Sequence, residues 1–91
     1  MKIKELLSSE DKWCQGSLSK TQNGKGCFSF AEEAVSWCLV GAIYKCYHNS
    51  IACSSVMFLI KNELGDKVLE WNDDPTRKFE DVRELVERLD I

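Results

Sequence analysis

Apolar positions recur at helical spacing over four stretches of the chain and lapse between them. Lys2–Ser8 sets Ile3, Leu6 and Leu7 on one side of a short helix. A helix below ~12 residues is marginal alone in water, so this one must dock on the rest of the fold. The second stretch is longer. Ser29-Phe30-Ala31-Glu32 has the form of a capping box, in which Ser29 accepts from a backbone N–H three residues on and Glu32 reaches back. The helix it predicts runs to about Tyr47. Ala34, Val35, Cys38, Gly41, Ala42 and Ile43 make one wide apolar stripe, and Trp37, Val40 and Tyr44 widen it. A helix apolar on most sides belongs in the middle of a fold, which makes Ser36–Ile43 the expected spine. Gly41 costs ~1 kcal/mol of helix propensity relative to Ala, so Gly41-Ala42 marks a point where another element packs close to the backbone.

His48-Asn49-Ser50 breaks the pattern, and Asn49 or Ser50 caps a third helix, Ile51–Leu64. Its expected buried face is Ala52, Val56, Leu59, Ile60 and Leu64, and Gly65 stands where a helix ends in the left-handed conformation. Lys67–Trp71 is read as extended, being too short for another helix. Asn72-Asp73-Asp74-Pro75 is a turn. A last helix starts at Arg77 or Phe79 and reaches Leu89, with Phe79, Val82, Leu85, Val86 and Leu89 on one stripe. Residues 12–30 have no helical period. Asn23-Gly24 can supply both φ > 0 positions of a type I′ turn, so 17–30 is either a small β-hairpin or a plain loop. The expected fold is mainly α: one compact four-helix domain over residues 1–91, becoming α+β if the hairpin forms.

Three motifs stand in order along this framework: Trp13-Cys14-Gln15-Gly16, then Trp37-Cys38-Leu39-Val40-Gly41-Ala42-Ile43, then Leu69-Glu70-Trp71-Asn72-Asp73-Asp74-Pro75 leading to Arg77 and Asp81-Val82. Their order resembles a family of small uncharacterised bacterial and phage proteins. That family is marked by Trp-x-x-Gly, a Cys-x-x-Gly-Ala helix, and a Trp-Asn-Asp turn before an Arg-Thr-capped last helix. The resemblance covers nearly the whole chain and implies a fold and a bacterial or phage setting, but no activity. Lys78 stands where the family has the capping Thr, so the cap must come from Thr76, Asp74 or another group. Read from their chemistry, the motif residues look architectural. Trp71 plugs a gap in the core, Asn72 and Asp73 satisfy backbone donors in the turn, and Cys38, Gly41 and Ala42 permit close helix packing.

Composition narrows the function classes. Net charge is −3, unevenly spread: residues 1–60 hold six Lys and five Asp or Glu, whereas 61–91 hold six Lys or Arg and ten Asp or Glu. Nucleic-acid binding needs a basic footprint and is not expected. No apolar run approaches the ~20 residues that span a bilayer, and the start of the chain lacks the form of a secretory signal, so no membrane role and a cytoplasmic location are expected. The five cysteines, an odd number, are then reduced thiols, by default small buried hydrophobes.

Sharper chemistry meets obstacles of spacing. A cysteine-dependent hydrolase or transferase needs a thiolate and a base within ~3 Å. Cys38 is the obvious nucleophile and His48 the only histidine; ten helical residues at ~1.5 Å rise set them about 15 Å apart. Cys38 is moreover expected well inside its helix, away from the N-terminal end that lowers a thiol pKa. A zinc site lacks Cys-x₂₋₄-Cys pairs; on a continuing helix Cys46 and His48 point about 200° apart. Gly24-Lys25-Gly26 lacks the strand–helix setting of a phosphate loop. No cofactor or metal is expected. The favoured reading is a non-catalytic interaction protein, in a phage or mobile element an inhibitor of a host defence system of the anti-CRISPR kind. Its expected contact surface is acidic, Glu70, Asp73, Asp74, Glu80, Glu84 and Glu87, with Trp13, Tyr44 or Tyr47 as aromatic anchors where exposed. Self-association as a homodimer is the alternative use of surplus apolar surface.

Overall fold

The computed structural model describes all 91 residues. Five α-helices run α1 Ile3–Leu6, α2 Leu39–Cys46, α3 Ser50–Leu64, α4 Val68–Asp73 and α5 Phe79–Leu89. A three-stranded antiparallel sheet has the order β2 (Gly26–Cys27), β1 (Ser19–Thr21), β3 (Ala34–Trp37). A 3-10 turn, Glu10–Lys12, leads into Trp13, which bridges β3 in parallel at Trp37. The molecule is therefore α+β and not a four-helix domain.

The hairpin forms, by a different turn from the one expected. Gly24 is at φ +81°, but Asn23 keeps a negative φ. Thr21 O accepts from Gly24 N at 2.9 Å and Lys25 O from Thr21 N at 2.8 Å. This is a three-residue loop with one left-handed glycine, not a type I′ pair.

The larger correction is at Ser29–Trp37. No helix begins there. Ala34–Trp37 is a strand paired with β1, and its register shifts at Lys20/Thr21. The predicted capping box is absent: Ser29 Oγ is buried without a hydrogen-bond partner. The backbone groups that a helix would have satisfied internally go to distant segments of the same chain instead, with Cys14 N donating to Trp37 O at 3.1 Å and Cys38 N to Leu18 O at 2.9 Å. Trp37 Nε1 donates to Ser29 O at 3.0 Å and folds the Ser29 loop back on the strand. The helix starts only at Leu39, with Cys38 as its N-cap. Ser36–Ile43 is nonetheless buried without a break, so the spine is a strand-to-helix junction.

The other termini follow local rules. Asn49 Oδ1 caps α3 by accepting from Ile51 N at 2.9 Å and Ala52 N at 3.3 Å. Gly65 has the expected positive φ of +81°, but its ψ of −171° leaves the left-handed helical region. Val68–Asp73 forms α4, where Lys67–Trp71 was expected to be extended and Asn72 and Asp73 to open a turn; Trp71 N donates to Lys67 O at 3.0 Å. At α5 the missing Thr is replaced from within the helix: Asp81 Oδ2 accepts from Lys78 N at 2.9 Å. Asp74 Oδ1 meanwhile holds Thr76 through its N at 2.8 Å and its hydroxyl at 2.7 Å. One hydrophobic cluster of 18 buried residues joins α1, β3, α2, α3, α4 and α5. Ile3 N donates to Ile91 O, and Lys2 and Lys4 reach Asp90 at 2.8 and 2.6 Å, tying α1 to the end of α5.

Candidate functional site

The three sequence motifs converge on one residue. Asn72 is fully buried. Its Oδ1 accepts from Trp13 Nε1 at 2.8 Å and from Leu39 N at 2.9 Å. Its Nδ2 donates to Cys14 O at 3.1 Å and to Asp73 Oδ1 at 2.9 Å. Gln15 Nε2 donates to the carbonyls of Asn72 and Asp74 at 2.8 and 2.9 Å, and Gly16 N donates to Asp73 Oδ1 at 3.1 Å. Every residue of Trp13-Cys14-Gln15-Gly16 is thus bonded to the Trp71–Asp74 segment or to Asn72 itself. Asn72 and Asp73 satisfy backbone donors, as expected, but on distant segments and not in their own turn. Trp71 packs against the core from its edge: it is half-buried, with Arg77 stacked 3.9 Å from its ring centre and Arg77 Nε donating to its carbonyl at 2.8 Å. This knot holds the fold, and its polar groups are spent on one another.

Cys38 occupies a place that invites chemistry, since a thiol at a helix N-terminus is usually acidified. It stands at the N-cap of α2, not inside the helix as the sequence pattern predicts, and its Sγ accepts from Gly41 N at 3.3 Å. Burial wins over the helix end. The side chain is fully enclosed, and its pKa is pushed up from 9.0 to about 11 by desolvation, against the opposing pull of the Gly41 N–H. Burial likewise raises Cys14 and Cys46. His48 lies beyond the other end of α2, exposed, its ring edge-on to Phe30 at 6.0 Å. All five cysteines are free thiols, and no group of three or more His, Cys, Asp or Glu side chains is placed to hold a metal ion. No helix is long and apolar enough to cross a membrane.

The acidic residues are spread over two elements and much engaged. Glu80, Glu84 and Glu87 share the outer face of α5, where Glu84 pairs with Arg88 at 2.8 Å and Glu87 with Arg83 at 3.1 Å. Arg88 also reaches Glu63 on α3 at 2.5 Å. Glu70 faces Lys67 at 3.9 Å, Asp73 belongs to the Asn72 knot, and the Thr76 hydroxyl and N–H hold the Asp74 carboxyl below its usual range. Of the aromatic anchors, Trp13 is half-buried in the knot, and Tyr47 donates its hydroxyl to Ile91 O at 2.9 Å. Only Tyr44 is exposed, at 40%.

Tyr44 instead belongs to an apolar surface built by α2, α3 and α4. A cleft of about 320 Å³ is lined by Val40, Tyr44, Met57, Lys61, Val68 and Leu69, among others. A second of about 370 Å³ adjoins it and shares Tyr44, Met57 and Lys61, adding Cys53, Ser54 and Phe58. Phe58 is 65% exposed, Leu69 48% and Ile51 78%. At 100° per residue, Ile51 and Phe58 point the same way, about 160° round α3 from buried Ile60. The sequence contained a signal for this. A helix already supplied with an inner face by Val56 and Ile60 has no internal use for Ile51 and Phe58 as well. Leu59, assigned to the buried face, is 41% exposed. Phe28, Phe30 and Val35 are exposed as well, at 83%, 58% and 44%, and Phe28 lines a third cleft of about 390 Å³ with Ser17, Leu18, Gly26 and Cys27.

No curated protein and no solved structure matches the chain. A family model does, over residues 2–89, and by that match the protein belongs to DUF6197, a family of unknown function.

Proposed function

We propose that the protein is a non-catalytic binding protein whose contact surface is the α2–α3–α4 groove. The observation that carries this reading is the set of large apolar side chains, Tyr44, Phe58 and Leu69, left in water around two adjoining clefts. Scattered single apolar residues on a surface are ordinary, but aromatics gathered at a concave site are the usual anchors of an interface. The buried, proton-holding Cys38 and the distant His48 argue against the hydrolase reading. A narrower form of the proposal places the partner in a bacterial defence system, with the protein as its inhibitor in a phage or mobile element. Small size and a net charge of −3 support that form.

The acidic face, Glu70, Asp73, Asp74, Glu80, Glu84 and Glu87, is the second reading, supported by the row of carboxylates on α5. Hydrogen–deuterium exchange on the complex with a co-purified partner separates the two. Slower exchange over Ser50–Leu64, which carries none of the acidic-face residues, is expected. Protection confined to Phe79–Leu89, with binding lost on combined charge reversal at Asp74, Glu80 and Glu84, would move the site to the acidic face. A dimer in light scattering that disappears with Phe58→Asp would assign the groove to self-association.

A further inference from the structure

We propose that Asn23, at the tip of the β1–β2 hairpin, is a site of spontaneous covalent modification that rebuilds the loop. The backbone nitrogen of Gly24 attacks Cγ of Asn23, and the side-chain amide leaves as ammonia. The product is a five-membered succinimide, which water opens on either side of the imide nitrogen. Breaking the new bond gives aspartate; breaking the original peptide bond gives isoaspartate, with the main chain rerouted through Cβ and Cγ. No oxidant or reductant is needed: one water enters and one ammonia departs.

The chain has four asparagines, at 23, 49, 62 and 72, and only Asn23 is set up for this reaction. The attacking nitrogen belongs to a glycine with φ +81° and open space where a Cβ would stand, so no side chain shields it or restricts its rotation. Gln22, Asn23, Gly24 and Lys25 are all exposed. The loop's one side-chain hydrogen bond, from Lys25 N to Thr21 Oγ1 at 3.3 Å, leaves the Asn23 carboxamide free to turn. The turn itself opposes attack, because Gly24 N donates to Thr21 O at 2.9 Å. That hold is slight. β2 is a two-residue edge strand paired on one side only, and the tip of so short a hairpin opens locally at little cost. The other asparagines are restrained. Asn49 Oδ1 is held by Ile51 N and Ala52 N, Asn62 lies within α3 ahead of the bulky Glu63, and Asn72 is fully buried with its carboxamide bonded at both ends.

The two products differ in what they do to the fold. Residues 12–31 contain no carboxylate, so aspartate adds the first one there and keeps the main-chain path. Isoaspartate adds one backbone atom to a three-residue loop. The bonds from Gly24 N to Thr21 O and from Thr21 N to Lys25 O cannot then both survive, and β2 loses its register on β1. Gly26 and Cys27 of β2 line the third cleft with Phe28, so that cleft opens as the loop ages.

The test is incubation of the folded protein in warm, mildly alkaline buffer, beside a synthetic Thr21–Lys25 peptide as the unrestrained reference. Tryptic digestion releases the same segment, and chromatography with mass spectrometry separates aspartate from isoaspartate. Asn23 should gain about one dalton at a rate within about tenfold of the free peptide, in keeping with a tip that opens at little cost. Asn49, Asn62 and Asn72 should stay unchanged over that time, and Asn23→Ser should abolish the gain. An intact Asn23 after the peptide has converted, or earlier conversion at another asparagine, would overturn the site. The isolated isoaspartate form should exchange its amide hydrogens over residues 19–27 at least several-fold faster than the unmodified protein, and the aspartate form should not. Equal exchange in all three would overturn the loss of β2.

Discussion

Replacing Gly41 by Ala sets two effects of opposite sign against each other. Helix propensity favours Ala by about 1 kcal/mol. A Cβ on Gly41, however, would lie 1.9 Å from the carbonyl oxygen of Leu18, the same oxygen that accepts from Cys38 N. Neither backbone can yield without breaking the junction, so Gly41→Ala should destabilise by about 2–4 kcal/mol in urea unfolding; a gain in stability would show that the helix does not pack on Leu18. Asn72→Ala leaves the buried Leu39 N–H, the half-buried Trp13 Nε1–H and the Cys14 carbonyl without partners, at about 1–3 kcal/mol each. Three such groups give a loss of about 3–9 kcal/mol, comparable to the total of roughly 5–14 kcal/mol for a chain of this length, so urea unfolding should show a large drop in the midpoint. Cys38 makes stability depend on alkaline pH. With its pKa raised from 9.0 to about 11, the folded state keeps a proton that the unfolded chain releases. The stabilisation is complete below pH 9 and falls away as pH rises toward 11, by about 2–3 kcal/mol. Cys14 and Cys46 act in the same direction, so Cys38→Ala should shrink the fall between pH 8 and 11 without abolishing it. An unchanged fall would show that this thiol is not the one held back.

At the scale of elements, Ser29 decides between the helix that the sequence pattern predicts and the strand that forms. As an N-cap its removal would cost about 1 kcal/mol. As a buried hydroxyl with no partner it is a liability, so Ser29→Ala should leave stability unchanged or raise it by up to about 1 kcal/mol, read from the urea midpoint. A clear loss would restore the capping box. Why the pattern misleads here is physical. Helical spacing of Ala34, Val35 and Cys38 is local information, whereas the strand is decided by β1 and by the Trp13 segment, distant in sequence, which supply the partners for its backbone. Elements with their own local signals were legible. Asn49 caps α3, and the stripe from Phe79 to Leu89 is α5. The helix at Val68–Asp73 escapes a reading that makes Lys67–Trp71 extended and Asn72–Pro75 a turn, because a helix that short draws its stability from packing, through buried Val68 and Asn72, not from its own sequence. Asn72 itself was visible as a motif residue. That it gathers Trp13, Cys14 and Leu39 was not, since no local pattern relates positions so far apart.

On the scale of the whole molecule, polar and apolar surfaces are divided between faces. Carboxylates crowd α5 and are partly neutralised by Arg83 and Arg88, while the stretch between Glu33 and Glu63 carries none. The sequence pattern draws attention to the crowded acids, because charge is easy to count. It hides the groove, because apolar residues on a helix are assigned by default to a core. Calorimetric titration of a co-purified partner against two single variants tests the account most directly. Phe58→Asp should weaken binding by thirtyfold or more, the loss of about 2 kcal/mol typical of an anchoring aromatic, while Glu80→Lys changes it less than threefold. The reverse pattern, with Glu80→Lys crippling and Phe58→Asp silent, would contradict the groove as the functional surface of this protein.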